Sequence, residues 1–79
     1  MKHARITDYT VIIHEAEEGG FWAEIPTLPG CFSQGNTFEE TLKHVRQAVR
    51  SHLAGLRADH QPIPQETGVV ISRVAVAFP

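Results

Sequence analysis

Alternating apolar and polar residues near the start of the chain predict a β-hairpin. Residues 9–14 are rich in β-branched side chains, and every second one falls on the same face of a strand. The residues on that face are Tyr9, Val11 and Ile13. Gly19 and Gly20 follow two glutamates and can adopt positive φ, after which the extended pattern resumes over residues 21–25. We therefore expect two antiparallel strands joined by a glycine turn.

Prolines after the second strand predict a turn and then a short edge strand. Pro26 and Pro29 have no amide proton to donate to a sheet, so the chain should leave the ladder there and turn at Gly30. Residues 31–34 can then form a third strand, which the Gly35-Asn36 pair ends.

One long helix is predicted over residues 38–57. Thr37 and Glu40 have the T-x-x-E spacing of a capping box, in which each side chain accepts a hydrogen bond from a backbone donor at the helix start. Apolar residues then recur at steps of three and four, which places them in one stripe. The stripe consists of Phe38, Leu42, Val45, Val49, Leu53 and Leu56. Pro62 cannot continue helical hydrogen bonding, so the helix must end before it.

A final strand is predicted over residues 67–78. Its apolar side chains on one face are Val70, Val74, Val76 and Phe78. The element order is then β-β-β-α-β, an α+β fold in which one long helix covers one face of the sheet. We expect residues 1–79 to form one domain.

Charge is unevenly distributed along the chain. Although the formal net charge is −2, residues 1–40 carry seven acidic and two basic side chains, whereas residues 41–79 carry two acidic and five basic ones. Four of these basic residues align on the helix face away from the apolar stripe, namely Lys43, Arg46, Arg50 and Arg57. Such a row can bind phosphates or an acidic protein surface, but a solvated outer face is its commoner role.

The sequence offers little for catalysis or metal binding. Cys31 is the single cysteine, so no intramolecular disulfide can form, and a reducing cytoplasm is expected. We expect Cys31 to be a small packed apolar residue and not a nucleophile. His44, His52 and His60 are eight residues apart and cannot share one metal site on a helix. No apolar run approaches the roughly 18 residues of a membrane span. We therefore expect no catalytic residue, cofactor, metal or membrane segment.

Residues 20–40, with the sequence GFWAEIPTLPGCFSQGNTFEE, closely resemble the signature of the HicB-like antitoxin family. The matching pieces are an aromatic strand after glycine, the I-P-x-L-P-G-C turn, the S-x-G-x-T helix entry and an acidic first turn. Ile63-Pro64 follows downstream, and the resemblance covers roughly residues 9–78. Thr27, Asn36 and Thr41 depart mildly from the residues common at those places. The resemblance implies a degenerate ribonuclease-H-like fold.

The resemblance also implies a function. Members of this family are antidotes that dock on a small HicA-type, mRNA-cleaving toxin and occlude its active site, and they form dimers or larger assemblies. We therefore expect this chain to bind such a toxin and to form a homo-oligomer, a dimer or larger. Many carry a C-terminal DNA-binding segment, for which this chain has no room after its final strand, so direct DNA binding is not expected. The partner-binding residues that we predict are Trp22, Pro26, Pro29, Arg46 and Arg50. Trp22 either faces outward as an interface anchor or is a satisfied core or sheet-face aromatic.

Two other functions remain open at this point. One is a stand-alone HicB-like regulator without a toxin, which would bind another partner or nucleic acid through the basic helix. The other is a residual metal-dependent nuclease, which would need several carboxylates converging on Mg²⁺. The candidate carboxylates are scattered among turns and strands: Asp8, Glu17, Glu18 and Glu24.

Overall fold

The computed structural model describes residues 7–79, and residues 1–6 lie outside the described residues. Lys2 and Arg5, which enter the charge count above, are in that undescribed part. The described chain forms three strands followed by one helix: β1 (Ile12–Glu15), β2 (Phe21–Glu24), β3 (Phe32–Gly35) and α1 (Phe38–Ala58). The predicted α+β class and these four elements are confirmed, although β1 begins later than the pattern indicated.

The three strands form an antiparallel sheet in the order β1-β2-β3. The predicted glycine turn joins the first two strands, since Gly19 and Gly20 have φ values of 100° and 76°. The Ala16 amide donates to the Gly20 carbonyl at 3.0 Å, and the Gly19 amide donates to the Ala16 carbonyl at 3.1 Å. Left-handed backbone at two successive positions is accessible to glycine at little cost, which explains the hairpin at this place.

The strand register divides the side chains between two faces of the sheet. Ile13, Ala23 and Ser33 are aligned across the three strands on the face that α1 covers. The buried apolar core consists of Ala23, Ile25, Leu28, Cys31 and Val45. Partly buried residues packed against it are Tyr9, Val11, Ile13, Ala48, Val49 and Leu53. The prediction that one helix covers one face of the sheet is therefore confirmed.

The turn after β2 is held by a buried leucine. Leu28 is fully buried, its amide donates to the Ile25 carbonyl at 2.9 Å, and its carbonyl accepts from the Cys31 amide at 3.0 Å. Pro26 and Pro29 are exposed on either side of it. Burial makes Cys31 part of the core and raises the pKa of its thiol, which agrees with a packed apolar role.

The predicted capping box begins α1. Thr37 is the N-cap, and its hydroxyl accepts from the Glu40 amide at 3.0 Å. The Glu40 carboxylate reaches back to the Asn36 amide at 2.8 Å, one residue before the cap, instead of to the cap residue itself. Both side chains therefore satisfy backbone donors at the helix start, as the spacing predicts.

Thr41, and not only the predicted apolar stripe, joins the helix to the sheet. Thr41 is fully buried and its hydroxyl donates to the Thr37 carbonyl at 2.7 Å, whereas Phe38 of the stripe is 48% exposed. A β-carbon placed on Gly35 would lie 2.7 Å from the Thr41 amide nitrogen. The helix thus approaches the end of β3 so closely that glycine is required there and only a small side chain fits opposite.

We expect Gly35→Ala to lower the free energy of unfolding by about 1–3 kcal/mol, because the added methyl group would overlap Thr41. Chemical denaturation followed by helix circular dichroism measures this change. Gly55→Ala is the matched control, since a β-carbon at Gly55 in the last turn of α1 meets nothing within 4 Å. That control should stabilise the protein by up to about 1 kcal/mol through higher helix propensity. Equal effects of the two substitutions would contradict the close approach.

The end of α1 has a non-glycine residue in left-handed backbone. His60 has a φ of 57°, and its amide donates to the Arg57 carbonyl at 3.1 Å. The Gln61 amide donates to the Leu56 carbonyl at 2.8 Å, which completes a Schellman motif. Asp59 is the C-cap residue. Histidine occupies the position where glycine is usual, so the helix ends at a conformational cost.

We therefore expect His60→Gly to raise the free energy of unfolding by up to about 1 kcal/mol, because glycine adopts left-handed backbone without steric strain. Thermal or urea denaturation measures the difference. His60→Asn should fall between the two, since asparagine tolerates this region better than histidine. Loss of stability in the glycine variant would show that the imidazole ring contributes more than its backbone strain costs.

The predicted fourth strand is wrong for the single chain. Residues 67–78 form no strand, and every residue in that range is exposed. No backbone-to-backbone hydrogen bond joins this range to any described residue. A high content of β-branched residues favours a strand only when a neighbouring edge supplies the ladder, and here the chain turns away at Gly68, where φ is 72°. The ribonuclease-H-like arrangement implied by the resemblance stays a prediction.

Candidate protein-docking surface

Among residues 7–79, nothing covers the face of the sheet opposite α1, and this face is partly apolar. We call it the outer sheet face, and it consists of Ile12, His14, Trp22, Glu24, Phe32 and Gln34. Ile12, Trp22 and Phe32 are 42%, 37% and 60% exposed. Large apolar side chains grouped on an exposed face are a recognised sign of a protein-binding surface. The outer sheet face is therefore the first candidate for docking a partner.

A stacked pair occupies the middle of the outer sheet face. His14 lies directly opposite Trp22 in the register, with ring centroids 4.1 Å apart and ring planes 14° from parallel. His14 Nε2 donates a hydrogen bond to the Glu24 carboxylate at 2.7 Å, which holds the imidazole over the indole. Trp22 is thus held in one orientation while more than a third of it stays exposed. A rigid, partly exposed tryptophan can contact a partner at small cost in side-chain entropy.

An acidic groove continues from one end of the outer sheet face. Its walls come from the β1–β2 turn, β3 and the start of α1. The acidic side chains along it are Glu15, Glu17, Glu18 and Glu40. No lysine or arginine occurs among the described residues that line it. His44 closes one wall, with Nδ1 placed 2.6 Å from the Gln34 carbonyl oxygen. The groove therefore presents mainly negative charge beside Trp22.

The structure does not bring the five predicted partner-binding residues together. Trp22 lies on the outer sheet face, whereas Arg46 and Arg50 are exposed on α1, which packs on the other face. Pro26 and Pro29 lie in the turn that follows β2, at the opposite end of that strand from the acidic groove. Trp22 lies outside the core, and it both faces outward and stacks on His14 as a sheet-face aromatic, so its role as an interface anchor stays a prediction.

Sequence reasoning missed the residues that surround Trp22. The sequence places His14 and Phe32 in strands but does not show that they share a face of the sheet with Trp22, because this depends on how the three strands are aligned. Alternation along β3 would have placed Phe32 opposite the buried Cys31, and alternation along β1 would have placed His14 opposite Ile13. The signal existed within each strand, but only the register joins the three strands into one surface.

The described residues offer no metal centre. Within residues 7–79, no group of three or more histidine, cysteine, aspartate or glutamate side chains is placed to hold a metal ion. Glu24 is engaged with His14, while Glu17 and Glu18 lie in the hairpin turn. In the same part of the chain, no helix is both long and apolar enough to cross a membrane.

Glu66 ties the segment after α1 back to the beginning of the sheet. Its carboxylate accepts from the Thr10 amide at 2.9 Å, from the Thr10 hydroxyl at 2.9 Å and from the Thr27 hydroxyl at 2.7 Å. The Tyr9 hydroxyl donates to the Pro64 carbonyl beside it. The hydrogen bonds from Thr27 and then Thr10 lower the pKa of the Glu66 carboxyl. This carboxylate fixes the point from which the C-terminal residues leave the domain.

The Glu66 contacts should make stability depend on acid pH. Because the pKa is lowered in the folded state, the contribution is fully present above the unfolded value of about 4.3 and is lost as the pH falls through the folded value. Urea denaturation at a series of pH values should therefore show that the free energy of unfolding falls less below about pH 4.3 in Glu66→Gln than in the wild type. Glu39→Gln, at an exposed position in the first turn of α1, is the control. Parallel pH profiles for the wild type and Glu66→Gln would contradict the role.

Comparison with known proteins identifies the family. The model of a family described as "HicB_like antitoxin of bacterial toxin-antitoxin system" matches residues 9–76. A UPF0150 protein of Synechocystis is 41% identical over 66 residues, which are 84% of this chain and 84% of that protein. A UPF0150 protein of Thermoplasma acidophilum is 38% identical over 81% of this chain and 93% of that protein. A UPF0150 protein of Helicobacter pylori is 36% identical over 81% of this chain and 89% of that protein.

A solved structure agrees with this assignment. A chain of a HicA3 and HicB3 toxin-antitoxin complex superposes with a TM-score of 0.63 at 33% identity. The match covers 73% of this chain and 66% of the other, so about a third of that chain lies outside the match. Together with the family match over nearly the whole sequence, this likeness shows that the chain belongs to the HicB-like antitoxin family of bacterial toxin–antitoxin systems.

Proposed function

We propose that this domain neutralises a HicA-type toxin by docking its outer sheet face on the toxin and occluding the toxin's active site. The observation that carries the proposal is Trp22, held by His14 at the centre of an uncovered face. Ile12 and Phe32 add exposed apolar area in the next row of the same face, where they lie on either side of Glu24. The likeness to a chain from a HicA3 and HicB3 complex supports a toxin as the partner.

The charge of the groove supports the same partner. A toxin that cleaves mRNA must attract phosphates, so its active-site surface is expected to be basic. The acidic groove beside Trp22 offers the opposite charge through Glu15, Glu17, Glu18 and Glu40. Complementary charge speeds association and disfavours other partners, while the aromatic centre supplies burial. A domain seated in this way would compete with RNA for the toxin surface.

Co-expression with the small open reading frame adjacent to the gene tests the proposal. We expect a tagged toxin to co-purify with this chain and to regain RNA cleavage when the chain is removed under denaturing conditions and the toxin refolded. Glu17→Lys combined with Glu18→Lys should weaken the complex, because both charges lie in the groove. Arg46→Ala combined with Arg50→Ala is the matched control on α1. If only the arginine control loses the complex, the docking surface lies on α1 and not on the outer sheet face.

A binding role, and not catalysis, is proposed for this domain itself. The family consists of antitoxins, and the candidate carboxylates are separated among the hairpin turn, β2 and the segment before β1. Purified protein is expected to leave RNA and RNA–DNA hybrids intact in the presence of Mg²⁺ or Mn²⁺. Metal-dependent cleavage that disappears in Asp8→Asn or Glu24→Gln would overturn this part of the proposal.

Nucleic-acid binding through α1 is the second candidate. The basic residues of the helix are all exposed, namely Lys43, Arg46, Arg50 and Arg57. Fluorescence anisotropy with labelled DNA and RNA at several salt concentrations tests it, because each lost phosphate contact reduces the salt dependence. Salt-sensitive binding that Arg46→Ala and Arg50→Ala reduce would favour this role.

A further inference from the structure

The Trp22 indole has one side that no other ring occupies. His14 stacks on the indole from β1, with the ring planes 14° from parallel, so the second side of the indole is turned away from β1 and toward β3. The neighbour there is Gln34, which lies opposite Trp22 in the register and is itself exposed. Within residues 7–79, His14 is the only ring stacked on Trp22. This second side, which we call the open side of the indole, is therefore accessible to a planar group from a partner.

The charge beside the open side of the indole favours a cation as that group. Trp22 lines the acidic groove together with Glu15, Glu17, Glu18 and Glu40, and no lysine or arginine occurs among the described lining residues. A positive charge over an aromatic ring is attracted by the ring quadrupole, most strongly for tryptophan. The phosphates of a nucleic acid would be repelled by the same carboxylates. The aromatic surface is thus suited to a cation and not to a base of RNA.

Arginine fits this place better than lysine does. The guanidinium is planar, so it can lie flat on an indole while its five N–H donors point outward to carboxylates. The lysine ammonium is compact and more strongly hydrated, which makes its transfer from water to an aromatic ring more costly. Gln34 lines the same groove, and its side-chain amide oxygen can accept a further hydrogen bond. Stacking and hydrogen bonding can therefore act together on a single arginine side chain.

We propose that the outer sheet face receives an arginine of the toxin, whose guanidinium lies on the open side of the Trp22 indole and donates hydrogen bonds to carboxylates of the acidic groove. This inference rests on toxin docking by that face and names the group that the toxin places there. His14 has a positioning role, because its stack on Trp22 and its hydrogen bond to Glu24 hold the indole with the second side open. An arginine held in this way is withdrawn from RNA phosphates.

Tryptophan fluorescence tests the arginine site directly. Trp22 is the single tryptophan of the chain, so a change in its emission reports binding at this place. The full chain is titrated at constant ionic strength with hexa-arginine, with hexalysine as the charge-matched control, and with a single-stranded RNA oligonucleotide. We expect saturable binding of both peptides, about threefold tighter for hexa-arginine, and no response to RNA. Equal affinities for the two peptides, no saturable response to hexa-arginine, or a response to RNA overturns the proposal.

Matched variants show where the peptide binds. Glu18→Gln removes a carboxylate that lines the groove, whereas Glu39→Gln removes one from the first turn of α1, outside the groove lining. By isothermal titration calorimetry, we expect the affinity for hexa-arginine to fall about threefold in Glu18→Gln and in Trp22→Leu, and less than about 1.5-fold in Glu39→Gln. Circular dichroism verifies that each variant keeps the helix. Equal losses in Glu18→Gln and Glu39→Gln place the peptide elsewhere and overturn the proposal.

Competition against the toxin separates the arginine site from toxin docking itself. The co-purified complex is exposed to L-argininamide or, at the same concentration and ionic strength, to L-lysinamide, which carries the same charge. We expect argininamide to release more toxin. If the complex forms but the two amides release equal amounts, toxin docking stands and the arginine site is wrong. If hexa-arginine binds at Trp22 but no toxin co-purifies, the arginine site stands and its assignment to a toxin is wrong.

Discussion

Leu28→Ala should lower the free energy of unfolding by about 2–5 kcal/mol, a large share of the total stability of a small domain. Leu28 is fully buried in the turn after β2, where it packs with Ile25 and Cys31 between the sheet and α1. The turn backbone is hydrogen-bonded on both sides of it, so the structure cannot easily collapse into the space that the lost side chain leaves. Urea denaturation followed by the helix signal measures the change.

Phe32→Ala is the matched control for this prediction. It removes a larger side chain, but Phe32 is 60% exposed on the outer sheet face, so the expected cost is less than about 1 kcal/mol. The order of the two effects is the decisive result. If Phe32→Ala is the more destabilising, the core lies on the outer sheet face and not on the face that α1 covers.

Trp22→Ala is expected to weaken toxin binding by about 30-fold, or about 2 kcal/mol, while the domain stays folded. Trp22 is more than a third exposed at the centre of the outer sheet face, and its stacking on His14 holds it ready for contact. The substitution removes the apolar surface that the indole would bury against the toxin, and it leaves the His14 imidazole without its stacking partner. Isothermal titration calorimetry with the purified toxin measures the affinity, and circular dichroism verifies the fold.

Two further variants make the result specific. His14→Ala should weaken binding less than Trp22→Ala, because it removes the support of the indole and not the indole itself. Arg50→Ala, on the exposed face of α1, should change the affinity by less than threefold, about 0.6 kcal/mol. A larger loss in Arg50→Ala than in Trp22→Ala would assign the toxin to the helix and would contradict the proposed surface.

The pattern of residues was sufficient for elements that depend on neighbours in the chain. The hairpin follows from two glycines that take positive φ, and the helix start follows from Thr37 and Glu40, whose side chains bind backbone amides within four residues. The helix end was bounded by Pro62, which cannot donate a hydrogen bond. These features are local, so no distant part of the molecule had to be known. The family resemblance was also readable, because it lies in a continuous segment of 21 residues, 20–40.

Only the tertiary structure decided features that depend on residues far apart in the sequence. Thr41 is buried because Gly35 lets the helix approach β3, and a single polar residue within an amphipathic pattern carries no sign of this contact. Trp22 faces outward because the register of three strands places it opposite His14 and away from α1. The predicted last strand failed for the same reason, since a strand exists only where an edge meets it and the Glu66 contact and Gly68 direct residues 67–78 away from their own sheet. Local propensity sets what a segment can form, whereas pairing and packing determine what it forms.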